Sequence, residues 1–273
     1  MPEGPEIHRE ADRIRSAIGG VRASSVWFAF PHLKPWSKRL RGRVVHSVTP
    51  RGKAMLIQVG PDLHIYSHNQ LYGRWMIRSR GSLPKTGRQL RLALHTDRHS
   101  ALLYSASEIT VLRGSELSSH PFLAKLGPDV LCDEVGVAEV LAQLKDRRFH
   151  RRSLGGLLLD QRFLGGLGNY LRSEILFIAQ LAPEQRPRDL SDARLAALAG
   201  TILDVTRQSY RTGGITNDLE HARRLRSDGA RRREYRHWVF ARGGKPCRVC
   251  RDPVIRIQHA GRRLYVCQKC QLG

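Results

Sequence analysis

The spacing of hydrophobic residues divides the chain into two parts of different character. From Ile7 to Ile18 they recur every three to four positions, which predicts a helix over residues 5–17. Beyond Gly19-Gly20 the period changes to two, and glycine, proline or charge interrupts it. The segments that result predict eight strands, at 26–30, 43–48, 54–59, 63–66, 75–78, 90–95, 101–104 and 109–112. Eight short strands at this spacing are typical of a sandwich or barrel-like domain.

A helical period returns after a break at Gly127-Pro128-Asp129. It predicts four helices, at 137–144, 153–160, 169–181 and 192–210. Three glycines before Asn169 predict a sharp turn with an N-cap, and free amides at a helix start can bind a DNA phosphate. The alternative is a plain helical hairpin whose second helix is capped.

The charge of the chain indicates a polyanionic partner. There are 47 lysines and arginines against 24 acidic residues, which gives a net charge of +23 and an isoelectric point near 11.0. Nucleic acid is the usual partner of such a protein. An anionic membrane is the alternative, but no apolar run approaches the roughly 18 residues of a membrane span. The N-terminus is acidic where a secretory signal would have a basic region followed by an apolar one, so we expect a cytoplasmic protein.

Arginine is concentrated in one late segment. Residues 222–242 hold eight arginines against Asp228 and Glu234. Charge runs of this kind are usually solvated. The pattern predicts a flexible basic loop that contacts phosphates without reading sequence.

Four of the five cysteines lie in the last 27 residues. Cys247-x2-Cys250 and Cys267-x2-Cys270 are 16 residues apart, the spacing of a four-cysteine zinc site. Four thiolates leave no open coordination position, so one structural Zn²⁺ is predicted, beneath a hairpin that turns at residues 259–261. Unligated surface cysteines are the alternative. Cys132 is interpreted as an inert thiol.

The N-terminus carries a candidate nucleophile. A methionine before proline is normally removed, which leaves Pro2 as a secondary amine beside the carboxylate of Glu3. The pKa of an α-amino group is about 7.7–8.0, so part of it is uncharged near neutrality and can attack an electrophilic carbon. A proline iminium keeps its positive charge without a proton and acts as an electron sink. The alternative is an ordinary solvated chain start.

These features occur in an order that resembles the formamidopyrimidine-DNA glycosylase and endonuclease VIII family over the whole chain. The resemblance rests on Met1 to Glu6, the β-rich half, the Gly168-Asn169 helix start and the zinc hairpin. Segments 67–73 and 103–107 are most similar to the endonuclease VIII branch. The resemblance implies an α+β fold: an N-terminal β-sandwich domain with a leading helix, then a helical domain with a helix-two-turn-helix and a zinc-bound β-hairpin. We predict domains at 1–125, 135–236 and 237–273, with a linker at 126–134.

The resemblance also implies an activity and its catalytic residues. The expected protein is a monomeric, nucleoid-associated bacterial enzyme that removes oxidised pyrimidines from duplex DNA and cleaves the abasic site. Pro2 would form the Schiff base and Glu3 would act as acid and base. Lys53 would assist β-elimination and Arg262 δ-elimination, with Arg263 the alternative for that role. Glu6 would support the electrostatics of the site.

Five further residues are predicted to contact DNA. Gln70, Leu71 and Tyr72 would fill the void that a flipped nucleotide leaves. The alternative is a strand end with Leu71 and Tyr72 in the core. Lys125 matches a basic DNA-contacting position of the family, and Asn169 matches a phosphate contact.

Two other functions remain open from the sequence. One is an oxidised-purine glycosylase of the same family, since the basic segment is longer than the endonuclease VIII branch leads us to expect. The other is a non-catalytic protein that binds damaged DNA through the zinc hairpin and basic loop.

Overall fold

The computed structural model describes residues 2–272, so the predicted removal of Met1 lies outside the described residues. The chain divides into two compact units, Met1–Lys125 and Leu126–Gly273. The finer boundaries proposed above, within the second unit, stay predictions. Among the described residues, no helix has the length and apolarity needed to cross a membrane.

The first unit opens with helix α1, Gly4–Ile18, which buries the apolar face that the sequence predicts. A short helix that the sequence analysis missed, α2, covers Lys34–Leu40. Its proline lies in the first turn, where a missing N–H breaks no helical hydrogen bond. The eight predicted strands are all present: β1 Ser25–Phe28, β2 Val45–Arg51, β3 Ala54–Val59, β4 Leu63–His68, β5 Arg74–Ser79, β6 Leu90–His95, β7 His99–Tyr104 and β8 Glu108–Arg113.

These strands form two antiparallel four-stranded sheets. One has the order β1-β6-β7-β5 and the other β2-β3-β4-β8. Apolar residues from both sheets and from α1 share one core, which confirms the sandwich with a leading helix. In the second sheet Ala54 pairs with His68, and His68 pairs with Glu108. The register therefore brings the start of β3, the end of β4 and the start of β8 to one end of the sheet.

The second unit is helical. Its main helices are α3 Val137–Lys145, α4 Leu154–Leu157, α5 Asn169–Ile178 and α6 Asp192–Thr212. The α4 helix is shorter than the predicted 153–160. Helix α6 ends where Gly213 adopts a positive φ of 69°, a conformation that glycine adopts without steric cost.

The predicted basic loop is wrong, because the segment forms helices α7, Leu219–Ser227, and α8, Arg232–Tyr235. Asp218 caps α7 by accepting a hydrogen bond from the His221 N–H at 2.7 Å. Arg232 donates to the Gly213 carbonyl. Charged side chains that satisfy backbone N–H and carbonyl groups hold this segment in place, an effect that a count of charges does not reveal.

A two-stranded hairpin and a last helix complete the unit: β9 Ile255–His259, β10 Arg262–Val266 and α9 Gln268–Leu272. Ala260 and Gly261 both have positive φ, which suits a tight two-residue turn. Leu264 and Val266 join the core of the helices, so the hairpin packs on the helical part of its own unit.

Candidate active site and metal centre

The start of α1 fixes the geometry of Pro2 and Glu3. Glu3 is the N-cap, with an extended backbone, and is only 3% exposed. Its N–H donates to Glu6 Oε2 at 3.0 Å, and its carbonyl accepts from the Ile7 N–H at 3.1 Å. The backbone of Glu3 is therefore held at its N–H, which belongs to the peptide from Pro2, and at its carbonyl, which belongs to the peptide to Gly4. Glu6 is in direct contact with the Pro2–Glu3 peptide, and its supporting role stays a prediction.

Lys53 lies in the tight turn between β2 and β3, after Gly52, whose φ is +58°. It is 6% exposed, which is rare for a lysine. Burial lowers the pKa of nearby His68, the positive charge of Lys53 lowers it further, and Glu108 opposes both effects. Lys53 is therefore at the same sheet end as the residues that follow β4.

Those residues form the 69–73 loop, which carries the predicted void-filling side chains. Gln70 donates from Nε2 to Glu108 Oε2 at 3.1 Å and accepts from Ser107 Oγ at 2.7 Å. Leu71 is 58% exposed and Tyr72 is 66% exposed. The alternative that places Leu71 and Tyr72 in the core is therefore wrong.

The backbone of the 69–73 loop is closed on itself. The Gly73 N–H donates to the Asn69 carbonyl at 2.7 Å. A Cβ on Gly73 would lie 2.5 Å from that carbonyl oxygen, so only glycine fits. The Gln70 N–H donates to His68 Nδ1 at 3.0 Å, which matches a neutral imidazole with its proton on Nε2. Arg88 donates to the Tyr72 carbonyl at 2.6 Å.

Glu10 is a residue of this region that the sequence analysis missed. Its Oε2 accepts from Nδ2 of Asn69, itself 3% exposed, at 2.7 Å. Burial raises the pKa of Glu10 to about 7, against the lowering effects of the Asn69 hydrogen bond, Arg13 and Arg74. The spacing of three and four residues from Glu3 through Glu6 to Glu10 was the available signal, since it places all three on one face of α1.

Lys125 ends a short 3₁₀ helix, Leu123–Lys125, and is exposed. Phe122 and Leu123 pack against Tyr66 and Leu112 of the sheet. This apolar contact holds the segment while leaving the Lys125 ammonium in solvent.

In the second unit, Asn169 is the first residue of α5, and Gly168 is the N-cap. The prediction that Asn169 provides the N-cap is wrong, because its side chain is used elsewhere. Asn169 Nδ2 donates to the Arg263 carbonyl at 2.8 Å. The helix start and the hairpin are thus directly joined.

Arg172, fully buried, strengthens this joint and was not recognised in the sequence. It donates to Asn169 Oδ1 at 2.7 Å and to the carbonyls of Gly155, His259 and Arg263 at 2.9, 3.2 and 3.1 Å. Each of these contacts is a charge-assisted hydrogen bond. They fix the hairpin tip, where Arg262 and Arg263 are both exposed. Arg262 shares its strand face with Leu264, and Arg263 projects from the other face.

Glu174, also fully buried, ties α5 to the segment before the zinc hairpin. Its Oε1 accepts from the N–H groups of Val239 and Phe240 at 2.9 and 2.8 Å. Its Oε2 accepts from the Trp238 N–H at 2.8 Å and from Thr216 Oγ1 at 2.5 Å. Four donors compensate the burial of one carboxylate.

The four predicted cysteines meet in one cluster. Their sulfur atoms all lie within 4.8 Å of one another, with Cys250–Cys267 at 3.3 Å and Cys247–Cys270 at 3.9 Å. Tetrahedral Zn²⁺ with bonds of about 2.3 Å requires sulfur pairs about 3.8 Å apart. The Val249 N–H points at Cys247 Sγ at 3.4 Å, a donor that suits a thiolate. The donor set fits one structural zinc ion, which holds the hairpin when bound.

Three family models match the chain in sequence order. The formamidopyrimidine-DNA glycosylase N-terminal domain matches residues 1–107 and the H2TH domain of the same enzyme matches 126–220. The zinc finger found in FPG and IleRS matches 244–272, which supports the metal assignment.

Complete relatives match over the same extent. Endonuclease 8 from Salmonella arizonae is 44% identical over 271 residues, covering 99% of this chain and 100% of the relative. Endonuclease 8 from Klebsiella pneumoniae is 43% identical with the same coverage.

Solved structures share the fold. Lactococcus lactis Fpg (MutM), in a complex with DNA containing an oxidised pyrimidine, has a TM-score of 0.80 at 18% identity, with 100% of both chains covered. The Lactococcus lactis Fpg complex with abasic-site DNA has a TM-score of 0.80 at 19% identity, with 99% of this chain and 100% of that chain covered. The members of the formamidopyrimidine-DNA glycosylase and endonuclease VIII family of base-excision repair are DNA glycosylases with abasic-site lyase activity. Given its 44% identity to endonuclease 8 over 271 residues, the chain belongs to this family.

Proposed function

We propose that this glycosylase removes oxidised pyrimidines from duplex DNA through a Schiff base on Pro2, and then cleaves the abasic site by β,δ-elimination. The observation that carries the proposal is the start of α1, where Glu3 is buried and its peptide to Pro2 is held by Glu6. Similarity to endonuclease 8 over 271 residues supports the pyrimidine preference.

In the first step the uncharged Pro2 nitrogen attacks C1′ of a nucleotide that has been flipped from the stack. The C1′–N bond to the base breaks, and its electron pair leaves with the base. Glu3 supplies the proton that the ring oxygen or the departing base requires. The positive end of the α1 dipole lies beside Pro2 and opposes a second positive charge there, so it favours the uncharged amine.

The iminium forms when the Pro2 nitrogen loses its proton and the C1′–O4′ bond breaks, with O4′ taking the proton that Glu3 supplies. The elimination steps use this iminium as the electron sink. It acidifies the C2′ proton, and loss of that proton expels the 3′ phosphate. Lys53, at the lip of the sheet, is proposed to bind phosphate and donate a proton in this step. Arg262, at the hairpin tip, is proposed to assist loss of the 5′ phosphate. The product is a one-nucleotide gap flanked by phosphates.

DNA binding is proposed to use residues from both units. The exposed side chains of Leu71 and Tyr72 would enter the void in the stack. Gln70 would contribute through its place in the 69–73 loop, because its amide is engaged by Ser107 and Glu108. Lys125 and Asn169 would contact phosphates.

Three finer statements are also part of the proposal. The protein acts as a monomer, it associates with the bacterial nucleoid, and the domains divide at 1–125, 135–236 and 237–273. The net charge of +23 supports nucleoid association, because long-range attraction to DNA follows from such an excess.

An oxidised-purine glycosylase is the second candidate, and the α7–α8 segment favours it. This segment is helical and tied to its own unit, and the sequence comparison with the endonuclease VIII branch leads us to expect a shorter one. A folded segment of this size is suited to covering a flipped base.

Borohydride trapping on two duplexes, one with an oxidised pyrimidine and one with an oxidised purine, tests the proposal. Under single-turnover conditions the pyrimidine duplex should be trapped and cleaved about tenfold faster or more, since a mismatch between pocket and base costs at least about 1.4 kcal/mol. Mass spectrometry should locate the adduct on Pro2, and Pro2→Gly should weaken trapping strongly. Faster reaction with the purine duplex would support the second candidate. An adduct elsewhere, or none, would contradict the Schiff base on Pro2.

The α7–α8 segment leads to a prediction about salt dependence. Six of its arginines are exposed: Arg223, Arg224, Arg226, Arg231, Arg232 and Arg233. The double variant Arg223→Gln/Arg226→Gln should reduce the slope of log K against log salt by about 1.8, because each phosphate contact contributes about 0.9. Fluorescence anisotropy over a salt series measures this slope.

The matched control also removes two positive charges, but from the β6–β7 side of the first unit. Arg80→Gln/Arg98→Gln changes two exposed arginines there. An equal change of slope in both double variants would mean that only net charge matters, and that α7 makes no phosphate contact.

A further inference from the structure

Glu10 lies beneath the two ends of the 69–73 loop. At the first end its Oε2 accepts from Asn69 Nδ2 at 2.7 Å. At the second end Arg74, the residue after Gly73, is near enough to lower the pKa of the Glu10 carboxyl. One carboxylate on α1 is therefore in electrostatic contact with both chain segments that carry the loop.

The remaining contacts of the 69–73 loop come from other elements. Ser107 and Glu108 hold the Gln70 amide, and Arg88 holds the Tyr72 carbonyl. None of these contacts reaches Asn69, whose side chain is buried against α1. Glu10 is the partner that fixes this end of the loop relative to the helix that presents Pro2 and Glu3.

We propose that Glu10 is a positioning residue for void filling: by holding Asn69, it sets the direction in which Leu71 and Tyr72 enter the DNA stack. This inference rests on the void-filling role proposed above for Leu71 and Tyr72. A loop that is already held before binding loses less conformational entropy when it enters DNA. Loss of Glu10 should therefore affect nucleotide flipping and leave the chemistry of Pro2 unchanged.

The charges around Glu10 indicate how its effect depends on pH. Arg13 and Glu6 face it from α1, and Arg74 faces it from β5. Its pKa of about 7 means that it becomes a carboxylate between pH 6 and 8. An ionised acceptor makes a stronger hydrogen bond to Asn69 and attracts Arg74, so the loop should be held more firmly at pH 8.

Global stability should move in the opposite direction. The pKa of Glu10 is higher in the folded protein than its ordinary value of 4.5, so the unfolded chain releases the proton first. The stability contributed by the protonated carboxyl is full below pH 4.5 and is lost as the pH rises through about 7. A flipping rate that increases over the same range cannot arise from general stabilisation.

The test compares Glu10→Ala, Glu10→Gln and the full-length wild type on two substrates. One is a duplex with an oxidised pyrimidine and 2-aminopurine beside it, which reports flipping by fluorescence. The other is a single strand with a preformed abasic site, which needs no void filling. Glu10→Ala should slow flipping and duplex excision about tenfold, the effect of losing one hydrogen bond to a charged group, and change single-strand cleavage less than about twofold. Glu10→Gln should match wild type at pH 6 and show no increase towards pH 8.

Two further variants make the outcome decisive. Asp12→Ala removes an acid from the same helix away from the loop and should behave as wild type. Leu71→Ala/Tyr72→Ala tests the void-filling role itself. If this double variant slows flipping and Glu10→Ala does not, the inference about Glu10 is wrong and void filling stands. If neither variant slows flipping, both are wrong. Equal losses by Glu10→Ala on the two substrates would indicate a general structural role and overturn the inference.

Discussion

Glu3→Gln is expected to slow release of an oxidised pyrimidine by about 10²–10⁴-fold, the usual contribution of a positioned acid–base group. Glutamine keeps the size of the side chain but cannot donate the proton that the ring oxygen or departing base requires. Because Glu3 is buried, bulk water has little access to the site and cannot efficiently donate the proton in its place. Single-turnover excision from a defined duplex measures the effect.

The affinity for lesion-containing duplex should remain within about twofold of wild type, because Glu3 is not among the proposed phosphate contacts. Glu6→Gln serves as the comparison, since it retains an oxygen that can accept from the Glu3 N–H. It should lose about tenfold or less, the worth of weakening one charge-assisted hydrogen bond. If Glu3→Gln released the base at the wild-type rate, the assignment of the acid would be wrong.

Cys267→Ser is expected to abolish zinc binding and duplex binding together. Structural zinc sites contribute about 10–16 kcal/mol of binding free energy, most of which drives local folding. Cys267 is fully buried, so the variant leaves the ion with three thiolates and a hairpin that cannot close. Arg262 and Arg263 would lose the positions that Asn169 and Arg172 set through the hairpin carbonyls.

Metal content by emission spectroscopy and anisotropy with duplex DNA measure both effects. Cys132→Ser is the control, because Cys132 lies outside the cluster and should retain one zinc per chain. Treatment of wild type with a strong chelator should reproduce the Cys267→Ser result. Full zinc content or unchanged duplex affinity in Cys267→Ser would contradict the structural role.

The secondary structure was predictable wherever one face of an element is buried. Strands β3 and β6 occupy the ranges that the sequence predicts, at 54–59 and 90–95. Helix α1 differs by one residue at each end. The pattern failed at α2, where proline in a first turn hid a helix, and at α7, whose charges satisfy backbone groups.

The residues of the site also fall into those that the sequence indicates and those that it does not. Pro2-Glu3 could be predicted as a candidate site from the sequence, and the four cysteines were identifiable, because each pattern depends on neighbours one to three residues away. The contacts of Glu10, Arg172 and Glu174 were not identifiable, because their partners are remote in the chain: Asn69 is 59 residues from Glu10, and Phe240 is 66 residues from Glu174.

The sequence by itself determined the family, the four zinc ligands and the order of the eight strands, and it predicts Pro2 as the nucleophile. These depend on residue type and local spacing, which the chain carries in one dimension. Only the tertiary structure decided that Leu71 and Tyr72 stand in solvent, that Asn169 joins the hairpin and that Glu10 holds the 69–73 loop. Burial of a polar group, and the partner that compensates it, are set by which distant segments meet.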